Sequence, residues 1–362
     1  MAWSTALAGF LDSKNNCSSI VNASAHLVRD DAIGRFALEV QDEGIVFKLH
    51  PNATIITEYV QTTCSERWVA GVIRAILARA SAPVGRRPVM IDIGANNGYY
   101  GMLGLALGAQ AIMLDVQPTC WDHIQAAVDM NAFGSRAQLV RHGVSTLLQP
   151  EFIRVAHGKM AKSARYACDG HFGVRALAPS YARDATGLET SSRDVKAITF
   201  GSFHEGLLGS ILNNTTAEID LVKLDVEGAE VGILNGSLMP LLRARRIRNL
   251  IFEANPQWWR SGLIDKKNDQ RATFRIAQDL ATEIAYYGYR LNTRYCESFR
   301  HIGTRWPSPC QNATYYVIQM RKWKRAPPLP QDLHFQRLEN WHQPTEPAWY
   351  DPNCTVQSCR AP

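Results

Sequence analysis

A chain of 362 residues is long enough for one large α/β domain with decorations, or for two modest domains, and its 46% hydrophobic and 20% charged residues are ordinary for a protein with a packed core. The net charge of +6 is mild, and its densest runs, at 243–248 and 321–325, are short clusters of the kind that solvate a helix end, so no nucleic-acid partner is expected. No window approaches the roughly 18 consecutive apolar residues of a spanning helix, so no transmembrane segment is expected either.

In chain order, residues 89–94 form a short apolar run that predicts a strand, and 99–107 carry helical apolar spacing. A second strand is predicted at 111–116, a helix at 118–133 with Pro at its start, and a third strand at 139–144. Continuous apolar strands alternating with helices signal a parallel sheet covered on both faces, hence an α/β, doubly wound fold. Residues 146–197 are polar, basic and without sustained period, and are read as an insertion of hairpins and loops over the sheet's carboxyl edge. Alternation resumes with strands at 219–226 and 249–254. An amphipathic helix is predicted from 269 to 287, with Ile276, Leu280, Ile284 and Tyr287 on one face. Strands at 289–293 and 315–320 close the domain. The expected organisation is an N-terminal extension over 1–45, a catalytic domain over 46–325, and a Pro-rich, Cys-containing tail over 326–362.

Chemistry concentrates in two segments. At 91–98, Ile-Asp-Ile-Gly-Ala-Asn-Asn-Gly ends a strand near an acid and turns through Gly94, Asn96 and Gly98 into a helix. Glycines at such a turn let backbone approach a ligand closely, and the helix start offers free N–H donors. Asp115 ends the next strand, where an acid accepts hydrogen bonds from ribose hydroxyls. The spacing D-x-G-x-x-x-G is not the G-x-G-x-x-G of dinucleotide enzymes, which points to S-adenosylmethionine, a cofactor with a ribose but no pyrophosphate. Asp92, Gly94, Asn96, Gly98, Asp115 and, at the end of the third strand, Val144 are the candidate cofactor residues. The second segment is 221–230, Leu-Val-Lys-Leu-Asp-Val-Glu-Gly-Ala-Glu. Side chains alternate along a strand, so Asp225 shares a face with Lys223, and with Glu227 if the strand continues that far. Acids at the carboxyl end of a parallel sheet face the ligand crevice. Asp225 and Glu227 are the candidate catalytic residues, able to accept a substrate hydrogen bond, take its proton or hold a cation; His204 and His301 are reserves. The alternative for Asp225 is a structural ion pair with Lys223, and Glu230 is read as complementing the helix dipole.

Residues 92–98, 115–118 and 223–230 together resemble the FkbM methyltransferases, which combine a D-[VI]-G-A-N-x-G motif, an acid shortly before a proline, and a K-[IL]-D-V-E-G-A-E motif. Glu66 and Glu253 also match family positions, and the resemblance spans residues 45–320. It implies a Rossmann-like methyltransferase sheet, mostly parallel with an antiparallel strand near the C-terminus, and methyl transfer from S-adenosylmethionine to a hydroxyl oxygen of a sugar, glycan or secondary metabolite. In catechol-type methyltransferases of similar topology, acids at the ends of the fourth and fifth strands hold a divalent metal. By that analogy Asp225, Glu253 and Asn255 are candidate ligands for magnesium or manganese. The segment Asn255-Pro256-Gln257-Trp258 resembles a loosened N-P-P-[YFW] motif, which keeps an N-methyltransferase as the alternative, beside a non-catalytic glycan-binding relative. Trp258, Trp259, Tyr295 and Trp306 are candidates for stacking on an acceptor sugar.

Asparagine usage bears on compartment. Sequons begin at Asn16, Asn22, Asn52, Asn213, Asn214, Asn235, Asn312 and Asn353, eight of the seventeen asparagines, where chance gives about two. The eight cysteines are even in number, and Cys296 with Cys310 and Cys354 with Cys359 lie in loop-like sequence where secreted proteins form small disulfide loops. The lumen of the secretory pathway (Golgi or endoplasmic reticulum) or secretion is expected, with the cytoplasm as the alternative. Asn235, between motif helices, is expected to be too buried for modification.

Overall fold

A computed structural model describes residues 23–30, 35–53, 64–81, 86–144, 152–156, 168, 175–177, 192–198, 218–226, 229–253, 283–284, 287, 289–293 and 315–320. It opens with an antiparallel sheet of β1 (Ala23–Asp30), β2 (Arg35–Asp42) and β3 (Ile45–Leu49). Helix α1 (Cys64–Ala80) follows, then β4 (Val89–Ile93), α2 (Tyr99–Ala106), β5 (Gln110–Leu114), α3 (Pro118–Met130) and β6 (Ala137–Val140). The next strands are β7 (Gly143–Val144), β8 (Phe152–Ala156), β9 (Arg175–Leu177) and β10 (Ser192–Ile198), joined as a four-stranded sheet in the order β7-β10-β8-β9. The chain then gives β11 (Leu221–Leu224), α4 (Glu230–Ile233), a π-helical turn (Leu234–Leu238), α5 (Met239–Arg243), β12 (Asn249–Glu253), β13 (Tyr289–Thr293) and β14 (Tyr315–Met320).

Seven strands form the main sheet in the order β13-β14-β12-β11-β4-β5-β6. β6, β5, β4, β11 and β12 pair in parallel, whereas β14 runs antiparallel to both β12 and β13. This is the Rossmann-like arrangement expected, down to the antiparallel strand near the C-terminus. The chain leaves β4 toward β5 and β6 on one side and returns at β11 to build the other. The strand order therefore reverses between β4 and β11, and ligands bind outside the carboxyl ends of strands at such a point.

Both faces of the sheet are covered, which is why β4 and β11 are buried along their whole length. Met90, Ala111, Met113, Leu221 and Ile251 face a cluster that includes Val69, Ile73 and Leu77 of α1 and Met102, Leu103 and Leu105 of α2. The alternate residues Ile91, Ile93, Ile112, Val222, Leu224 and Leu250 face Val231, Leu238 and Leu242 on the other side, together with Ile284 from the predicted helix 269–287. Of that helix, only 283, 284 and 287 are among the described residues. The π-helical turn leaves Asn235 and Gly236 exposed while Leu234 and Ser237 are buried, so the expectation of a buried Asn235 is corrected. The wider turn carries these two positions out of the core.

The N-terminal sheet is built into the same core. Leu38, Val40, Phe47 and Leu49 join the cluster of α1 and α2. The Asn131 side chain completes the edge of β3, accepting from Lys48 N at 2.8 Å and donating to Lys48 O at 2.7 Å. Beneath the sheet, Arg74 of α1 is buried against Asp42 and lies 3.1 Å from Glu43. Truncating one partner of a buried pair strands the other charge, so Arg74→Met is expected to destabilise by about 3–5 kcal/mol in urea denaturation. Asp42→Asn in the same chain should recover part of that loss. If the single variant unfolds at the same urea concentration as wild type, the pair does not hold the N-terminal sheet to α1.

Candidate cofactor and acceptor site

The turn after β4 carries three left-handed residues, Gly94 (φ 82°), Asn96 (φ 52°) and Gly98 (φ 88°). A Cβ on Gly94 would overlap the Asp225 carbonyl oxygen, so glycine alone lets the β4 turn and the end of β11 touch. Gly94 N and Ala95 N both donate to Leu114 O at 2.9 Å, which folds the turn against the end of β5. Asn97, buried, accepts Tyr99 N at 3.1 Å in a local turn just ahead of α2.

Asp115 is the knot between the two loops. Its carboxylate accepts Asn96 N and Gln117 N, each at 2.7 Å, and its carbonyl accepts Trp121 Nε1 at 2.7 Å. Burial pushes its carboxyl up to about 7, against the two backbone donors that pull it down. A group placed so loses charge readily and accepts a ribose hydroxyl best when ionised.

The insertion leans on this turn. Cys120, in the first turn of α3, is disulfide-bonded to Cys168, with Cα atoms 4.7 Å apart. The Cys168 sulfur lies 3.6 Å from Asn96 Oδ1; a disulfide sulfur carries no proton, so this is a contact and not a hydrogen bond. Val195 of β10 packs against Val116 and Trp121 beside Asp115. Nothing in the spacing of Cys120 and Cys168 signalled their pairing. Cys296, Cys310, Cys354 and Cys359 lie outside the described residues.

Register gathers the acids. Lys223 pairs with Asp92 across β11–β4 and with Ile251 across β11–β12, so Asp92, Lys223 and Glu253 share one face, and Asp225 N continues the ladder to Ile93 O at 3.0 Å. Lys223 Nζ lies 3.2 Å from Asp225 Oδ2 and 3.6 Å from Asp92 Oδ1. Burial disfavours the ammonium, but Asp225 and Asp92 outweigh it and raise its pKa. Burial pushes Asp92 up to about 6 despite Lys223. Asp225, Glu230 and Glu253 each bring a carboxylate oxygen within 4.8 Å of the others, and Glu230 also accepts Val226 N at 2.8 Å. Glu230 is therefore part of the acidic group, which its reading as a dipole partner missed. Of the expected metal set, Asp225 and Glu253 come together, while Asn255 lies outside the described residues, as do Glu227, His204, His301, Trp258, Trp259, Tyr295 and Trp306. Val144 is buried in the apolar cluster that holds Ile93, Leu114 and Leu224.

The raised carboxyl of Asp115 has a sign. An unfolded Asp115 ionises near 4 while the folded one keeps its proton to about 7, so its contribution to stability is full below about pH 4 and is lost as pH rises to about 7. Binding of S-adenosylhomocysteine to a ribose-holding Asp115 should strengthen by about tenfold from about pH 6 to about pH 8. Asp115→Asn should flatten that dependence in calorimetry; a wild-type affinity independent of pH would remove Asp115 from the ribose.

The sequence profile of the methyltransferase FkbM domain matches residues 92–291, more than half of the chain. No curated protein matches the chain. Among solved structures, the human methyltransferase 10 domain containing protein is similar at 10% identity and TM-score 0.34, over 70% of this chain and 80% of its own. The METTL16 methyltransferase domain is similar at 12% identity and TM-score 0.37, over 87% and 92%. The precorrin-6y C5,15-methyltransferase of Geobacter metallireducens is similar at 13% identity and TM-score 0.32, over 70% and 87%. The profile match covers the glycine turn, Asp115 and the 223–230 motif together, and the chain belongs to the FkbM methyltransferase family.

Proposed function

We propose that the protein transfers the methyl group of S-adenosylmethionine to a hydroxyl oxygen of a sugar, glycan or secondary metabolite. The observation that carries the hydroxyl is the group Asp225, Glu230 and Glu253, three carboxylates within 4.8 Å beside the strand-order reversal. A neutral amine is already nucleophilic and gains little from an acid cluster, whereas an alcohol needs its proton removed or its oxygen polarised.

The residues of the turn fit the methyl donor. Asp115 offers a buried carboxylate to a ribose, the left-handed turn at Gly94–Gly98 keeps side chains out of the way, and no cluster of amides or basic groups for a pyrophosphate is needed. When bound, S-adenosylmethionine supplies an activated methyl on a sulfonium. The protein's part is then to aim an acceptor oxygen at it and remove the proton. Asp225, with its side chain one-fifth exposed, is the member of the β4–β11 group that reaches the cleft, and takes that role; Glu227 is its partner in the same reading. Asp225, Glu230 and Glu253 are a hard oxygen donor set suited to magnesium or manganese, which would polarise the acceptor oxygen there.

Asp225→Asn keeps shape and removes the charge. Transfer of labelled methyl to glycans and small alcohols should fall by about two to four orders of magnitude, with S-adenosylhomocysteine binding little changed. Loss of activity with a chelator and recovery with magnesium or manganese assigns the acids to a cation; indifference assigns Asp225 to proton removal. Near-normal turnover in a folded Asp225→Asn enzyme removes both roles.

We infer further that the enzyme works in the secretory lumen, and that its catalytic domain spans 46–325, preceded by an extension whose strands β1 and β2 pack on the same core. The sequon excess, the exposed turn position of Asn52 and the Cys120–Cys168 disulfide support the lumenal reading. Expression in a eukaryotic secretory host should yield an endoglycosidase-sensitive glycan at Asn52; a glycan-free product with eight free thiols would contradict the compartment.

A further inference from the structure

Behind Asp225 lies a chain of buried polar groups that the proposed chemistry does not itself use. Lys223 Nζ, in a side chain only 3% exposed, has the Asp225 carboxylate at 3.2 Å, the Asp92 carboxylate at 3.6 Å, and the Tyr100 ring centroid at 4.9 Å. These are one hydrogen-bonding partner, one ion-pair partner and one π face around a single ammonium. Tyr100, itself buried, donates its hydroxyl to the Glu66 carboxylate and approaches Glu66 O at 3.3 Å. The chain therefore runs from α1 through α2 to β11, and of its charged members Asp225, with its side chain 20% exposed, is the most open to solvent.

We propose that Lys223, braced by Tyr100 and Glu66, is a positioning residue that aims the Asp225 carboxylate at the acceptor hydroxyl. The proposal rests on the hydroxyl-methylation reading above. An aspartate at a strand end has more than one rotamer to choose from, and a misplacement of about 1 Å in a reacting group costs about 10²-fold in rate. The ring of Tyr100 closes one side of the Lys223 ammonium, Asp92 holds another, and α2 lies so close to β5 that a Cβ on Gly101 would meet the Met113 side chain. The ion pair that a sequence alone would read as structural thus has a fixed end and a working end. Lys223 is the fixed end, tied through the Tyr100 ring to Glu66, 34 residues before that tyrosine.

The test is a kinetic cycle on the full chain, with labelled methyl transfer to p-nitrophenyl glycosides, beside a crystal structure of Lys223→Met with S-adenosylhomocysteine. Lys223→Met should lower kcat by about 10²-fold, with KM for the donor changed by less than about twofold. Added to Asp225→Asn it should cost nothing more, because it acts through that carboxylate. Tyr100→Leu should lower kcat in the same direction by a smaller factor, and Lys223→Arg should restore part of the loss. In the Lys223→Met crystal structure the Asp225 carboxylate should leave its position. Should that variant fail to fold, Lys223→Met with Asp92→Asn leaves no stranded charge there and serves in its place. Additive losses in the double variant, or an Asp225 carboxylate that stays where it is without Lys223, overturn the proposal. A wild type that methylates no glycoside, with Asp225 displaced in the Lys223→Met structure, sinks the acceptor reading and leaves the positioning role standing.

Discussion

An ammonium withdrawn from water in the middle of a parallel sheet needs partners, and the site is arranged around that need at Lys223. Two carboxylates and an aromatic face surround it, each from a different element: Asp225 beyond β11, Asp92 on β4, Tyr100 on α2. None is free to move independently. Asp92 sits in a ladder with Lys223 itself, and α2 is pressed onto β5 through Gly101. Unpaired, any one of these charges would be costly at such depth. The charge arrangement therefore demands the same register and helix placement that the apolar core demands.

A second tie, at Asp115, couples the β4 turn to the segment that carries Cys168 and β10. One carboxylate holds the β4 turn at Asn96 and the β5 turn at Gln117, while its own carbonyl holds Trp121. The insertion reaches the same place twice, through Cys168 beside Asn96 and through Val195 against Trp121. A segment with no sequence periodicity is thus anchored at the turn proposed to hold the nucleoside end of the donor. Anchoring of this kind limits the turn's conformations before any ligand arrives, which is how a weakly featured loop becomes preorganised.

The central strands were legible because their signal is local. β4, β5, β11 and β12 are apolar runs bounded by acids or glycines, and their expected limits differ from those observed by one or two residues at most ends. The expected third strand, 139–144, divides into β6 and β7, since Arg141 and His142 turn the chain toward β10. The alternation Leu38, Val40 and then Phe47, Leu49 was also there to be read, although Phe36 on the same face of β2 stays exposed. Its meaning comes from packing on α1 and α2, which sequence spacing does not reveal. The same holds for the site. Asp92, Asp115 and Asp225 announce themselves at strand ends, whereas Tyr100, Glu66 and the Cys120–Cys168 pair work through contacts across 34 to 48 residues of chain. Glu230 looked like a helix-start acid and is one, since it accepts Val226 N, yet its carboxylate also meets Asp225 and Glu253.

Alternation makes fold and chemistry a single constraint. Along β4 and β11, one face carries Met90, Asp92, Leu221 and Lys223, and the other carries Ile91, Ile93, Val222 and Leu224. The polar residues come only near the carboxyl ends, next to the partly exposed Asp225. A slip of one residue in either strand would carry Asp92 or Lys223 into the wholly apolar cluster under α4 and α5. That penalty pins the register, and the pinned register is what sets Asp92, Lys223 and Asp225 side by side. A charge network at this depth adds little net stability compared with well-packed apolar side chains. Its presence in the most buried part of the sheet is explained by what it holds at the surface: a single carboxylate, Asp225, at the point where the strand order reverses.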